Sequence, residues 1–92
     1  MKKLVKAIKV LESDKEISAF LKDLCTPAEI EAFEERLVIA SLLHDRKYSY
    51  RDISEKTGAS TTTVGRVARF LNQEKNQGYL TVFRRWNDEN AK

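Results

Sequence analysis

The 92-residue sequence predicts an all-α fold of about six helices. Three observations carry this. One proline and three glycines leave long stretches without a helix breaker. Apolar residues recur at i, i+3, i+4 and i+7 rather than alternating. Ser13, Thr26, Ser49 and Ser60 each stand just before a periodic run, where a side-chain oxygen can accept from a free helical N–H.

The first helix is read in "KKLVKAIKVL", where Leu4, Ile8 and Leu11 share a face and Lys2, Lys3, Lys6 and Lys9 lie elsewhere. Ser13 with Glu16 forms a capping-box pattern, so a second helix begins at Asp14. Its stripe is Ile17, Phe20, Leu21 and Leu24. In "TPAE", Thr26 caps, Pro27 occupies the first turn and Glu29 completes the box. That third helix runs to about Leu43, its apolar residues widening from a stripe to most of the circumference. It is expected to be the central helix, packed on more than one side. "HDRKY" ends it, with His44 near the helix C-terminus.

Ser49 caps a short helix from Tyr50 to about Thr57, and Gly58 stops it. Ser60 caps another, from Thr61 to about Asn72. Two short helices joined by a tight glycine turn make a helix-turn-helix over about residues 50–72. Tyr79, Val82, Phe83 and Trp86 fit a final helix, although Leu80, Val82 and Arg84 also admit a short strand. The tail after Asn87 is expected to fray.

The chain is read as one domain, residues 1–92. A domain this short buries only ~60–65% of its unfolded surface, so stability comes from economical packing or a partner subunit. A charged fraction of 34%, with no apolar run approaching a bilayer span, argues against a membrane protein. "MKKLVKAIKVLESDKE" lacks a continuous apolar h-region, so no signal peptide is read and the expected compartment is the cytoplasm. Cys25 and His44 are the only cysteine and histidine, which gives no support to a metal site or a Cys–His nucleophile. Cys25 is expected to be buried. The acids Glu29, Glu31, Glu34 and Glu35 cluster on one helix with no nucleophile, base or metal set, so no enzyme is read. The net charge of +3 suits a polyanionic partner without identifying it.

The helix-turn-helix carries the functional signal. Ile53 and Thr57 face inward, and small Ser54 lies where the helices approach. Val64, Val67 and Leu71 anchor the second helix at i, i+3 and i+7. Its other face is Thr61, Thr62, Gly65, Arg66 and Arg69, with no acid from Thr57 to Gln73. A recognition helix needs such a face: small donors and acceptors at its tip to approach base edges, and nothing that repels phosphate. Thr63 is expected to turn toward the first short helix.

The stretches "LCTPAEIEAFEERLVIASLL", "YSYRDISEKTGASTTTVGRV" and "GY" at Gly78–Tyr79 resemble the Trp repressor superfamily, most closely its YerC/YecD-type branch of transcriptional regulators. The resemblance covers residues 25–79. It implies an intertwined homodimer with two helix-turn-helix heads, binding double-stranded DNA at half-sites ~34 Å apart. By this resemblance Arg51, Thr61, Thr62 and Gly65 contact DNA. Arg69, Lys56 and Lys75 are candidates for phosphate contact or solvated charge. The resemblance also implies an effector pocket between the central and recognition helices, built from Thr26, Arg36, Arg66 and the position of Phe70. A phenyl ring there offers no acceptor to an ammonium group, which argues against L-tryptophan. Phe70 can instead fill the pocket itself, and Arg36 can pair with Glu29 or another nearby acid. No cofactor is expected.

A competing reading makes the chain a protein-interaction module. Its helix-turn-helix would be structural, and the aromatic segment "GYLTVFRRW" would dock a partner.

Overall fold

A computed structural model describes residues 1–90, with side chains through Asn87. Six helices and no strand occur among the described residues: α1 (Lys2–Lys9), α2 (Asp14–Leu24), α3 (Pro27–Asp45), α4 (Tyr50–Thr57), α5 (Thr61–Asn72) and α6 (Gly78–Asn90). The all-α expectation holds, and the C-terminal ambiguity resolves as helix. Residues 88–90, expected to fray, continue α6, while 91 and 92 lie outside the described residues. None of the described helices is long and apolar enough to cross a membrane.

The chain forms two compact units, Met1–Ala32 and Phe33–Lys92, with the boundary inside α3. In the first unit no residue of α1 or α2 is buried. Of the apolar stripes that the sequence predicts, Leu4, Ile8, Ile17, Leu21 and Leu24 remain exposed, while Leu11 and Phe20 are half-buried. Cys25, expected to be buried, is only half-buried at the C-terminal end of α2. The Ser13 hydroxyl accepts from the Glu16 N–H at 3.1 Å as predicted, but the Glu16 carboxylate accepts from Glu12 N–H at 2.8 Å, one residue earlier than a standard box. At α3 the box is complete: Thr26 N–H donates to the Glu29 carboxylate at 2.8 Å, and Glu29 N–H donates to Thr26 Oγ1 at 3.1 Å.

In the second unit α3 continues to Asp45, two residues past the expected end, and stops where Arg46 takes a left-handed φ of 59°. The core draws Ile39 and Ala40 from α3, Ile53 from α4, Ala59 from the turn, Val64, Val67 and Leu71 from α5, and Phe83 from α6. Ile39, Ile53 and Val64 are fully buried, each contributing about 1.5–3 kcal/mol by leaving water. His44, near the C-terminus of α3 as expected, stacks on Phe83 with centroids 5.2 Å apart, and Tyr79 stacks on the same ring at 6.1 Å. Packing of α3 on several sides is only partly realised: Phe33 and Val38 stay 47% and 51% exposed.

Candidate nucleic-acid interface

Side-chain hydrogen bonds cap the start of α4 and hold the turn between α4 and α5. Ser49 Oγ accepts from Asp52 N–H at 3.0 Å, and the Asp52 carboxylate accepts from Ser49 N–H at 3.1 Å, closing the capping box of α4. Gly58 ends α4 at φ 81°, a left-handed conformation that costs residues with a Cβ. Thr57 Oγ1 donates to Ile53 C=O at 2.8 Å and accepts from Ala59 N–H at 3.2 Å. Ser54 Oγ donates to Ala59 C=O at 2.6 Å across the turn. Thus Ser54 is small because the turn folds back onto it, and its hydroxyl ties the end of the turn to α4.

Val64, Val67 and Leu71 are buried as predicted, and Ala68 joins them. Their burial fixes the rotation of α5 and leaves Thr61, Thr62, Arg66 and Arg69 outward. The Ser60 hydroxyl accepts from Thr63 N–H at 3.1 Å, capping α5 without a carboxylate, so its first turn holds no acid. This positive helix end stands beside two exposed threonine hydroxyls, groups whose chemistry suits phosphate and base edges.

Thr63 does not turn toward α4. Its hydroxyl lies 3.0 Å from that of Ser60, and its side chain lines a cavity with α3 and α6.

Among the predicted cations, Arg51 is open: its side chain is 87% exposed, and its Nε lies 3.9 Å from the exposed Glu55 carboxylate, a weak tie. Lys56 lies over the Tyr48 ring at 5.0 Å. Arg69 is less free than its sequence context implies. Its Nε donates to Glu74 at 3.1 Å, and its guanidinium lies over Phe70 at 5.3 Å. The acid-free stretch ends at Gln73, and Glu74 follows immediately. Gly65 is half-buried, and a Cβ added there would lie 3.8 Å from Cε2 of Tyr50, an aromatic contact that sequence spacing alone does not reveal.

A cavity of about 700 Å³ lies among α3, α5 and α6. Arg36, Arg66 and Phe70 all line it, with Thr63, Asn76 and Tyr79. Phe70 therefore forms part of the wall rather than filling the space. The Glu29 carboxylate accepts from Thr26 N–H, and the Arg36 guanidinium lies over Phe33 at 5.5 Å. Thr26 lies in the first unit, where it caps α3. Two guanidinium groups, apolar walls and no carboxylate in the lining suit an organic anion better than an ammonium group.

Two exposed carboxyls are held below the usual carboxylate range. Asp52 is lowered chiefly by the Ser49 backbone N–H, then by its side-chain hydroxyl. Glu29 is lowered in the same way by Thr26. Both shifts favour the ionised caps of the helices that frame the site.

Comparison with known proteins agrees with this geometry. A protein of Bacillus subtilis (strain 168) named uncharacterized protein YerC is 41% identical over 69 residues, covering 75% of this chain. The match spans 65% of that protein's length, just under two thirds. A crystal structure of a TrpR-like protein from Eubacterium eligens superposes with a TM-score of 0.85 at 42% identity, covering 94% of this chain and 87% of that one. A candidate Trp repressor from Staphylococcus aureus superposes at 0.80 with 36% identity, covering 94% of this chain and 84% of that one. The family described as Trp repressor protein matches residues 1–87, and with a fold and relatives that agree, the chain belongs to the Trp repressor family.

Proposed function

We propose that the chain is a sequence-specific, DNA-binding transcriptional regulator that acts as a homodimer in the cytoplasm and represses by occupying a two-fold-symmetric operator. The observation that carries this is the clamped α4–α5 pair. It presents Thr61, Thr62 and the open Arg51 together, with no acid on α5. In this reading α5 enters the major groove by its N-terminal turn, and Arg51 reaches guanine or the backbone beside it. The dimer is supported by the unburied stripes of α1 and α2 and by half-exposed Phe33 and Val38, apolar surface that a second copy would cover. The cavity beside Arg36 and Arg66 is the place for an anionic effector that would bias the position of α5.

A second reading draws on Trp86, which stays 47% exposed beside Arg85 on α6 and offers an anchor for another protein. A double variant, Arg51→Ala with Arg69→Ala, separates the two. A DNA-binding regulator loses duplex affinity while its circular dichroism is unchanged. An interaction module whose helix-turn-helix is structural binds DNA no better before the change than after it.

A further inference from the structure

Tyr50 is the first residue of α4, adjacent to Arg51, and it is half-exposed. Its ring edge lies 3.8 Å from the point where a Cβ would stand on Gly65. Gly65 is one helical turn beyond Thr61 and one before Arg69, so all three share a face of α5. The ring therefore lies over the one position of that face that has no side chain. The contact distance is an ordinary one, so a methyl group at 65 would be accommodated. A longer, branched side chain at 65 would compete with the ring for the same space. What residue 65 lacks on α5, Tyr50 supplies from α4.

We infer that Tyr50 is a specificity-determining residue of the DNA interface, contacting the base pair that a side chain at position 65 would otherwise reach. A phenol is suited to this. Its ring has an apolar surface that matches the C5-methyl group of thymine, and its hydroxyl can donate to, or accept from, the backbone or a base edge. A flat ring held against another helix also loses little freedom on binding, since only two torsions are ordered. Thr61 and Thr62 then contact bases from the tip of α5, and Tyr50 reads the next step from the side. The preference expected there is for thymine, since an aromatic edge offers no paired donors for guanine or adenine.

The inference rests on the DNA-binding reading, and one experiment separates the two. Duplexes are selected from a random pool by the full chain, by Tyr50→Ala, by Tyr50→Phe and by Gly65→Thr, and sequenced. Recovery of no motif by the wild-type chain defeats the DNA-binding reading itself. With a wild-type motif in hand, Tyr50→Ala is expected to lower discrimination at one position per half-site by ~5-fold or more, leaving the other positions intact. Tyr50→Phe keeps that preference, because the ring remains. Gly65→Thr displaces the ring and changes the preference at the same position. A Tyr50→Ala motif identical to wild type overturns the inference. If Tyr50→Ala does not fold, Gly65→Thr decides: an unchanged preference at the position retained by Tyr50→Phe overturns it equally.

Discussion

The hydrogen bond from Ser54 to the Ala59 carbonyl links the integrity of the fold to the orientation of α5, so its removal is a sharp test. Ser54→Ala deletes a 2.6 Å bond without creating a cavity of any size, since only the hydroxyl oxygen is lost. Ala59 is buried at 7% exposure, which leaves its carbonyl poorly placed to recruit water. A net hydrogen bond contributes about 0.5–1.5 kcal/mol, and a buried acceptor left unpaired costs about 1–3 kcal/mol. The variant should therefore be less stable by ~1–3 kcal/mol. At ~4–8 °C per kcal/mol for a domain of this size, Tm falls by at least ~4 °C. The assay is thermal unfolding followed by circular dichroism at one fixed protein concentration, because the Tm of the proposed dimer would depend on concentration. Glu55→Ala, one residue along on the exposed face, serves as the control and should shift stability by no more than ~0.5 kcal/mol. A Ser54→Ala chain that melts within about 1 °C of wild type would refute the claim that this bond holds the turn.

Gly58→Ala meets no atom within 4 Å, so its cost is purely that of a Cβ at φ 81°, about 1–2 kcal/mol in chemical denaturation. Gly78→Ala, with equally open space and no positive φ, should be neutral or stabilising in the same measurement. Arg51→Ala should leave Tm unchanged, because its ion pair is exposed and long. Its affinity for a selected duplex in fluorescence anisotropy should fall ~5- to 150-fold per half-site if it binds guanine bidentately. Glu29 and Asp52 have folded pKa values below their unfolded ones, so their contribution is fully present above the ordinary carboxylate range and is lost as pH falls through the lowered values. Urea midpoints measured across acid pH should drop there, and Asp52→Asn should flatten the drop.

Much of the fold was legible because local signals agree with one another. Ser13, Thr26, Ser49 and Ser60 each cap the helix that their positions announce. Gly58 takes the left-handed turn that its place between two periodic runs demands. Val64, Val67 and Leu71 are core residues because periodicity reports the buried face of a helix directly. The candidate site was less legible, since it depends on pairs distant in sequence or on choices among rotamers. Arg69 has an apparently acid-free neighbourhood along the chain, yet five residues on, past the end of α5, Glu74 folds back to meet it. Phe70 looks bulky enough to close a pocket, but whether a ring fills a space or walls it depends on where α6 passes, which helix periodicity does not encode. Tyr50 gave no sign of its role, because its partner is a glycine fifteen positions away.

The central claim is that the clamped α4–α5 pair is one half of a DNA-reading surface repeated in a dimer. Selection of bound duplexes from a random pool at low salt, with the chain's mass in the complex determined by light scattering, tests it most directly. The account predicts an enriched, two-fold-symmetric sequence bound by two chains, with half-sites about one helical turn apart. Recovery of unenriched sequence, or of a single half-site bound by one chain, would contradict it.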